Sequence, residues 1–126
     1  MNRKEFREEM VMILYKDIMN AEEELTIENQ ELLETYRDIK LHIEEIDEMI
    51  KKNLVNWSIT RLNYVDLAII RYAVYELLVL NQAKEVVMNE AIELTKKYSN
   101  LDDDSARKFN NRLLQNIVDD MSGKDA

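Results

Sequence analysis

The chain has 126 residues, enough for one domain that buries a core without metal or disulfide support. It has no cysteine, which excludes a disulfide scaffold, a thiolate zinc site and a cysteine nucleophile. Its N-terminus, MNRKEFREE, is charged where a signal peptide would be apolar, and Arg71 and Glu76 interrupt the most apolar run, Leu67 to Leu80. A cytoplasmic protein without a membrane span is expected. Proline is absent and Gly123 is the only glycine, so hairpins and phosphate-cradling loops lack their usual punctuation. With Glu, Leu, Ile and Lys favouring helix, an all-α single domain is predicted. The formal charge of -9 is unevenly spread. Between Glu22 and Glu48 eleven acids face only Arg37 and Lys40, so that segment holds the whole excess and basic patches can survive elsewhere.

In chain order, Asn2 is a good N-cap with Glu5 three residues on, opening a helix to about Met19 whose apolar face is Phe6, Met10, Ile13 and Leu14. Ala21 to Thr26 reads as a short acidic connection. A long helix follows, with Leu32, Leu33, Tyr36, Ile39, Ile43, Ile46, Ile50 and Leu54 on one stripe and Glu31, Glu34, Glu44, Glu45 and Glu48 on a solvated face. This completes an N-terminal helical half, 1–54. The C-terminal half, 55–121, begins with a short helix or turn around Asn56 to Asn63. The segment from Val65 to Leu80 is apolar nearly all round and is predicted to be a helix wrapped by its neighbours. A connection at Asn81 to Glu85 leads to a helix from about Val86 to Tyr98. Ser99 to Asp104 forms the next loop, where Asp102, Asp103 or Asp104 caps a final helix ending near Met121. The tail, 122–126, is expected to fray.

Catalysis finds little support. His42, the only histidine, lacks the Glu-x-x-His spacing of di-iron bundles, and the chain has no nucleophile elbow, phosphate loop or dinucleotide fingerprint. The Asp102 to Asp104 run lacks the ligand spacing of a calcium loop. No enzyme activity, metal or cofactor is expected. The cations are more informative. Arg3, Lys4 and Arg7 fall in the first two helical turns, where the helix dipole disfavours them, and share a sector of about 100°. As plain solubility charges they would pair along the helix, Lys4 with Glu8 for instance. Arg107 and Lys108 open the last helix, again against the dipole, beside Phe109 and Arg112; an aromatic next to cations suits single-stranded RNA, although Phe109 reads first as a core residue. Lys96 and Lys97 close a helix as ordinary dipole matching. Arg71, Glu76 and Glu90 stand in apolar segments and are expected to be paired, tying the central helix to the next one. Trp57 reads as a core anchor.

Trp57, Arg61, Leu62, Asp66, Ile70, Arg71, Ala73, Tyr75, Glu76 and Leu77, followed by Val87, Asn89, Glu90, Ala91, Lys96 and Tyr98, resemble the NusB family in order and spacing. The resemblance implies about seven helices in two packed bundles and a role in bacterial ribosomal RNA transcription. There, with the small-subunit ribosomal protein NusE, such proteins bind the boxA element of nascent RNA and help assemble an antitermination complex around RNA polymerase. The family's RNA surface combines an arginine-rich first helix with a Lys-Phe-Val-Asn-Gly motif at the start of the last. Here these correspond to Arg3, Lys4 and Arg7, and to Lys108, Phe109, Asn110, Asn111 and Arg112, with Arg107 alongside. Valine and glycine of the motif are replaced. Tyr15 and Asp66 are similar to residues facing NusE in the family. The resemblance leaves a homodimer open. Two rival readings are a protein-only adaptor without RNA binding, and a detached RNA-positioning module of a ribosomal RNA methyltransferase.

Overall fold

A computed structural model describes residues 1–20, 22–54, 59, 62–98 and 105–123. Among them are six α-helices and no strand: α1 (Arg3–Met19), α2 (Gln30–Leu41), α3 (Ile43–Lys52), α4 (Tyr64–Leu78), α5 (Lys84–Tyr98) and α6 (Ser105–Met121). The all-α expectation holds. Trp57, Arg61, most of the predicted turn at 56–63, the aspartates at 102–104 and the end of the tail lie outside the described residues.

Helix α1 starts where its cap predicts. The Asn2 side chain accepts the Glu5 backbone N–H at 2.8 Å, and its amide donates to Glu5 Oε1 at 2.9 Å. The first of these bonds satisfies a donor that a helix start would otherwise leave open, and the second holds the cap side chain in place. Phe6, Met10, Val11 and Leu14 are buried, and α1 packs most extensively on α4.

The single long helix predicted from Leu32 to Leu54 is instead two, broken at His42. His42 has φ -105° and ψ 10°, outside helical geometry, and its Nδ1 lies 2.9 Å from the Asp38 carbonyl oxygen. The same carbonyl still accepts the His42 backbone N–H at 3.2 Å, and that N–H is shared with the Ile39 carbonyl at 3.0 Å, a tightened turn that closes α2 before α3 begins. The bend lets the two halves of one stripe meet different neighbours. Helix α2, with Leu32 and Ile39 buried, packs chiefly on α1, whereas α3, with Ile46 and Ile50 buried, packs chiefly on α4.

Helix α4 is the hub, touching α1, α3, α5 and α6. Eleven of its residues are buried, as its all-round apolar pattern requires. It ends in a turn where Asn81 takes φ 54°, a left-handed conformation that asparagine tolerates, while the Gln82 N–H reaches the Glu76 carbonyl at 3.0 Å. This tight turn starts α5 at Lys84, two residues before the expected Val86. The buried side chains of all six helices form one continuous apolar cluster. Among the described residues no helix is long and apolar enough to cross a membrane.

Candidate nucleic-acid interface

The three cations of α1 diverge. Lys4 is exposed. Arg3 lies with its guanidinium 4.5 Å from the Phe6 ring centroid and 3.3 Å from Glu31 Oε1 of α2. Arg7 is only 7% exposed, and its Nε donates to both Glu76 carboxylate oxygens, at 2.8 and 3.0 Å. The Glu76 hydrogen bond raises the Arg7 pKa against the opposing effect of burial, with Glu90 adding to the favourable field. The RNA contact expected of Arg7 is thus corrected to a buried structural pairing. A signal for this was available. Positions 7, 11 and 14 follow helical core spacing, and Glu76 is the lone acid within α4 beyond its first turn.

The expected pairing of the α4 charges holds, but toward earlier helices rather than the next one. Glu76 takes Arg7 of α1, and Arg71 makes a two-point contact with Asp47 of α3 at 2.9 and 2.8 Å.

The last turn of α5 meets α1. Lys97 Nζ donates to Glu8 Oε1 at 2.6 Å, and the Tyr98 hydroxyl donates to the same oxygen. These hydrogen bonds, Lys97 first, hold the Glu8 carboxyl below its ordinary pKa, and Lys4 adds a weaker attraction. Glu8 in turn raises the Lys97 pKa. Two cations from different helices therefore flank one ionised acid. Lys97 reads in sequence as dipole matching, and only the tertiary structure brings it to Glu8, one turn along α1 from Lys4.

On its other side, α5 forms a groove of about 670 Å³ with α6, lined by Lys96 of α5 and by Arg107, Lys108 and Asn111 of α6 among others. Phe109 packs partly on the core and is half-buried. Between Phe109 and Asn111, Asn110 is fully buried, and its amide donates to Asp66 Oδ1 at 2.9 Å and to Thr95 Oγ1 at 3.1 Å. The Thr95 hydroxyl in turn donates a hydrogen bond to the Ala91 carbonyl at 2.8 Å. Asp66, expected to face NusE, is itself only 6% exposed. Its backbone N–H is capped by Asn63 at 2.8 Å and its carboxylate is turned inward to hold the start of α6. A direct partner contact through this side chain is thereby replaced by a structural role. Tyr15, the other residue so assigned, is half-buried against the core.

The structure thus gathers Lys4 with Lys97, and Lys96 with Arg107, Lys108 and Asn111, on two sides of one helix end. Arg3 turns aside to α2, while Arg7 and Asp66 turn inward. Among the described residues no group of three or more His, Cys, Asp or Glu could hold a metal ion.

Comparison with known proteins gives this arrangement a family. The transcription antitermination protein NusB of Clostridium botulinum is 40% identical over 134 residues, covering 94% of this chain and 98% of the relative. That of Staphylococcus epidermidis is 38% identical, covering 94% and 100%. The NusB of Bacillus licheniformis is 49% identical over a shorter stretch, 62% of this chain, spanning only 59% of that relative's length. Among solved structures, T. maritima NusB matches with a TM-score of 0.78 at 29% identity, covering 93% of this chain and 90% of that one. A crystal structure of the antitermination factors NusB and NusE with double-stranded RNA matches with a TM-score of 0.72 at 32% identity, covering 91% and 94%. The NusB family model matches residues 1–119, and the chain belongs to the NusB family.

Proposed function

We propose that this protein is a bacterial transcription antitermination factor, an RNA-binding adaptor that acts with NusE on boxA-like RNA in nascent ribosomal transcripts. It works by binding rather than catalysis, in the cytoplasm, within an assembly around RNA polymerase. The carrying observation is the last turn of α5, which sets Lys97 on Glu8 of α1, one turn from Lys4, and Lys96 beside the Lys108 end of α6. An acidic chain thereby presents a locally basic edge, the electrostatic footprint phosphate contacts require. Relatives named as antitermination proteins and a structural neighbour holding NusE and RNA support the same reading. RNA is contacted by Lys4, Lys108, Arg107, Phe109 and Asn111, with Arg3 at the margin, and Arg7 supports them from within.

The test is a titration of boxA-like RNA with and without NusE at two salt concentrations. Alanine at Lys4 or Lys108 is expected to weaken binding and reduce the salt slope by about one phosphate contact each. Unchanged affinity and slope in both variants would reject this interface. A protein-only adaptor is the second reading, favoured by the withdrawal of Arg7 from the surface, and it predicts no RNA binding in either titration.

A further inference from the structure

We infer that the groove between α5 and α6 is a nucleobase site, which receives one unstacked base of single-stranded RNA. The inference rests on the RNA-binding reading above and adds to it where sequence discrimination arises. The groove holds about 670 Å³, ample for a base and its sugar. Its lining has the three chemistries such a ligand needs. Met88 and Ile92, both half-buried, supply an apolar wall for the flat face of a base. Asn89 on α5 and Asn111 on α6 are exposed, carry carboxamides able both to donate and to accept, and make no side-chain hydrogen bond to the other described residues. Such amides read base edges in the way phosphate-binding cations cannot.

Charge within the groove is graded. Lys96, in the last turn of α5, and Lys108, in the first turn of α6, stand at the loop end. Glu85 lies in the first turn of α5, at the opposite end. Glu93 is 3.8 Å from Lys96 and only partly offsets it. A phosphate therefore settles at the loop end, where the start of α6 also favours an anion, and its base points back toward Asn89 and Asn111. Asn89 lies outside the basic motifs of both chain ends, so its part in recognition follows from the packing of α5 on α6.

The experiment titrates the full chain, with NusE, against a set of boxA-like RNAs each carrying one abasic position. The wild-type chain is expected to lose about tenfold in affinity at one position and much less at its neighbours. Asn89→Ala is expected to weaken the intact RNA several-fold, leave the salt slope unchanged, and reduce the penalty at that one abasic position by the same factor. Asn89 is exposed, so the variant should keep the wild-type circular dichroism and unfolding midpoint, and Asn111→Ala supplies an independent second probe. If both variants bind like wild type and keep its abasic profile, the groove is not a base site although the RNA-binding reading stands. If the wild-type chain binds none of the RNAs, both readings fall together.

Discussion

Arg7 and Glu76 join α1 to α4 through an ion pair in which one nitrogen reaches both carboxylate oxygens, at 2.8 and 3.0 Å, with side chains only 8% and 2% exposed. Removing one partner of such a pair strands a charge away from water. Arg7→Ala or Glu76→Ala is therefore expected to cost about 3–5 kcal/mol of stability. The double variant Arg7→Met with Glu76→Leu, which keeps volume and strands nothing, should be markedly more stable than either single variant. Urea unfolding of the three proteins measures this, and additive losses in the double variant would contradict it.

Asn110, fully buried between Phe109 and Asn111, links Asp66 of α4 to Thr95 of α5 through its amide. Asn110→Ala should lower stability by about 1–3 kcal/mol, because Asp66 is left buried with one donor fewer and a space opens beside it. Asn110→Val fills that space and should cost less. Equal unfolding midpoints for wild type and Asn110→Ala would show that the bond to Asp66 contributes nothing.

Three tyrosines make stability depend on alkaline pH. Burial, with the hydrogen bond to Asp17 at 2.8 Å, pushes Tyr36 from its ordinary 10.0 up to about 12. Burial also raises Tyr72, and burial with a 2.7 Å bond to Asp38 raises Tyr75. A raised folded-state pKa contributes stability that is complete below the unfolded value of about 10 and is lost as pH climbs through the folded one. Unfolding free energy, followed against pH, should accordingly begin to fall near pH 10 and still be falling at about pH 12, where Tyr36 ionises in the folded state. Tyr36→Phe and Tyr75→Phe together should make that fall shallower, and an unaltered slope would refute the assignment.

Glu8 is the acid between Lys4 and Lys97. Glu8→Gln removes a negative charge from the proposed RNA edge and should tighten RNA binding about two- to fivefold at low salt, with the gain shrinking as salt screens it. The lost surface pair should cost no more than about 1 kcal/mol of stability. Weaker RNA binding by this variant would mean that Glu8 serves to position Lys97 rather than to oppose the ligand.

Much of the fold is legible from local pattern. The Asn2 cap, the apolar face of α1, the wrapped α4 and the end of α6 near Met121 depend on residues within a few turns of one another. The candidate site is only partly legible in this way. The loop-end cations Arg107 and Lys108 can be picked out because they defy the helix dipole. Arg7 defies it too, yet its side chain serves the core, and the stripe from Leu32 to Leu54 has the period of one helix while forming two.

By itself, then, the sequence determined the helical class, most helix boundaries and the family, all of which are written in periodicity, caps and residue spacing. Tertiary structure alone decided that Arg7 meets Glu76 sixty-nine positions away, that Lys97 meets Glu8 eighty-nine positions away, and that Asn89 shares a groove with Asn111. The physical reason is that a charge or an amide has no preferred direction of its own. Whether it faces solvent, a buried counter-charge or a groove depends on which helix packs across from it, and that is set by how six apolar faces close around α4.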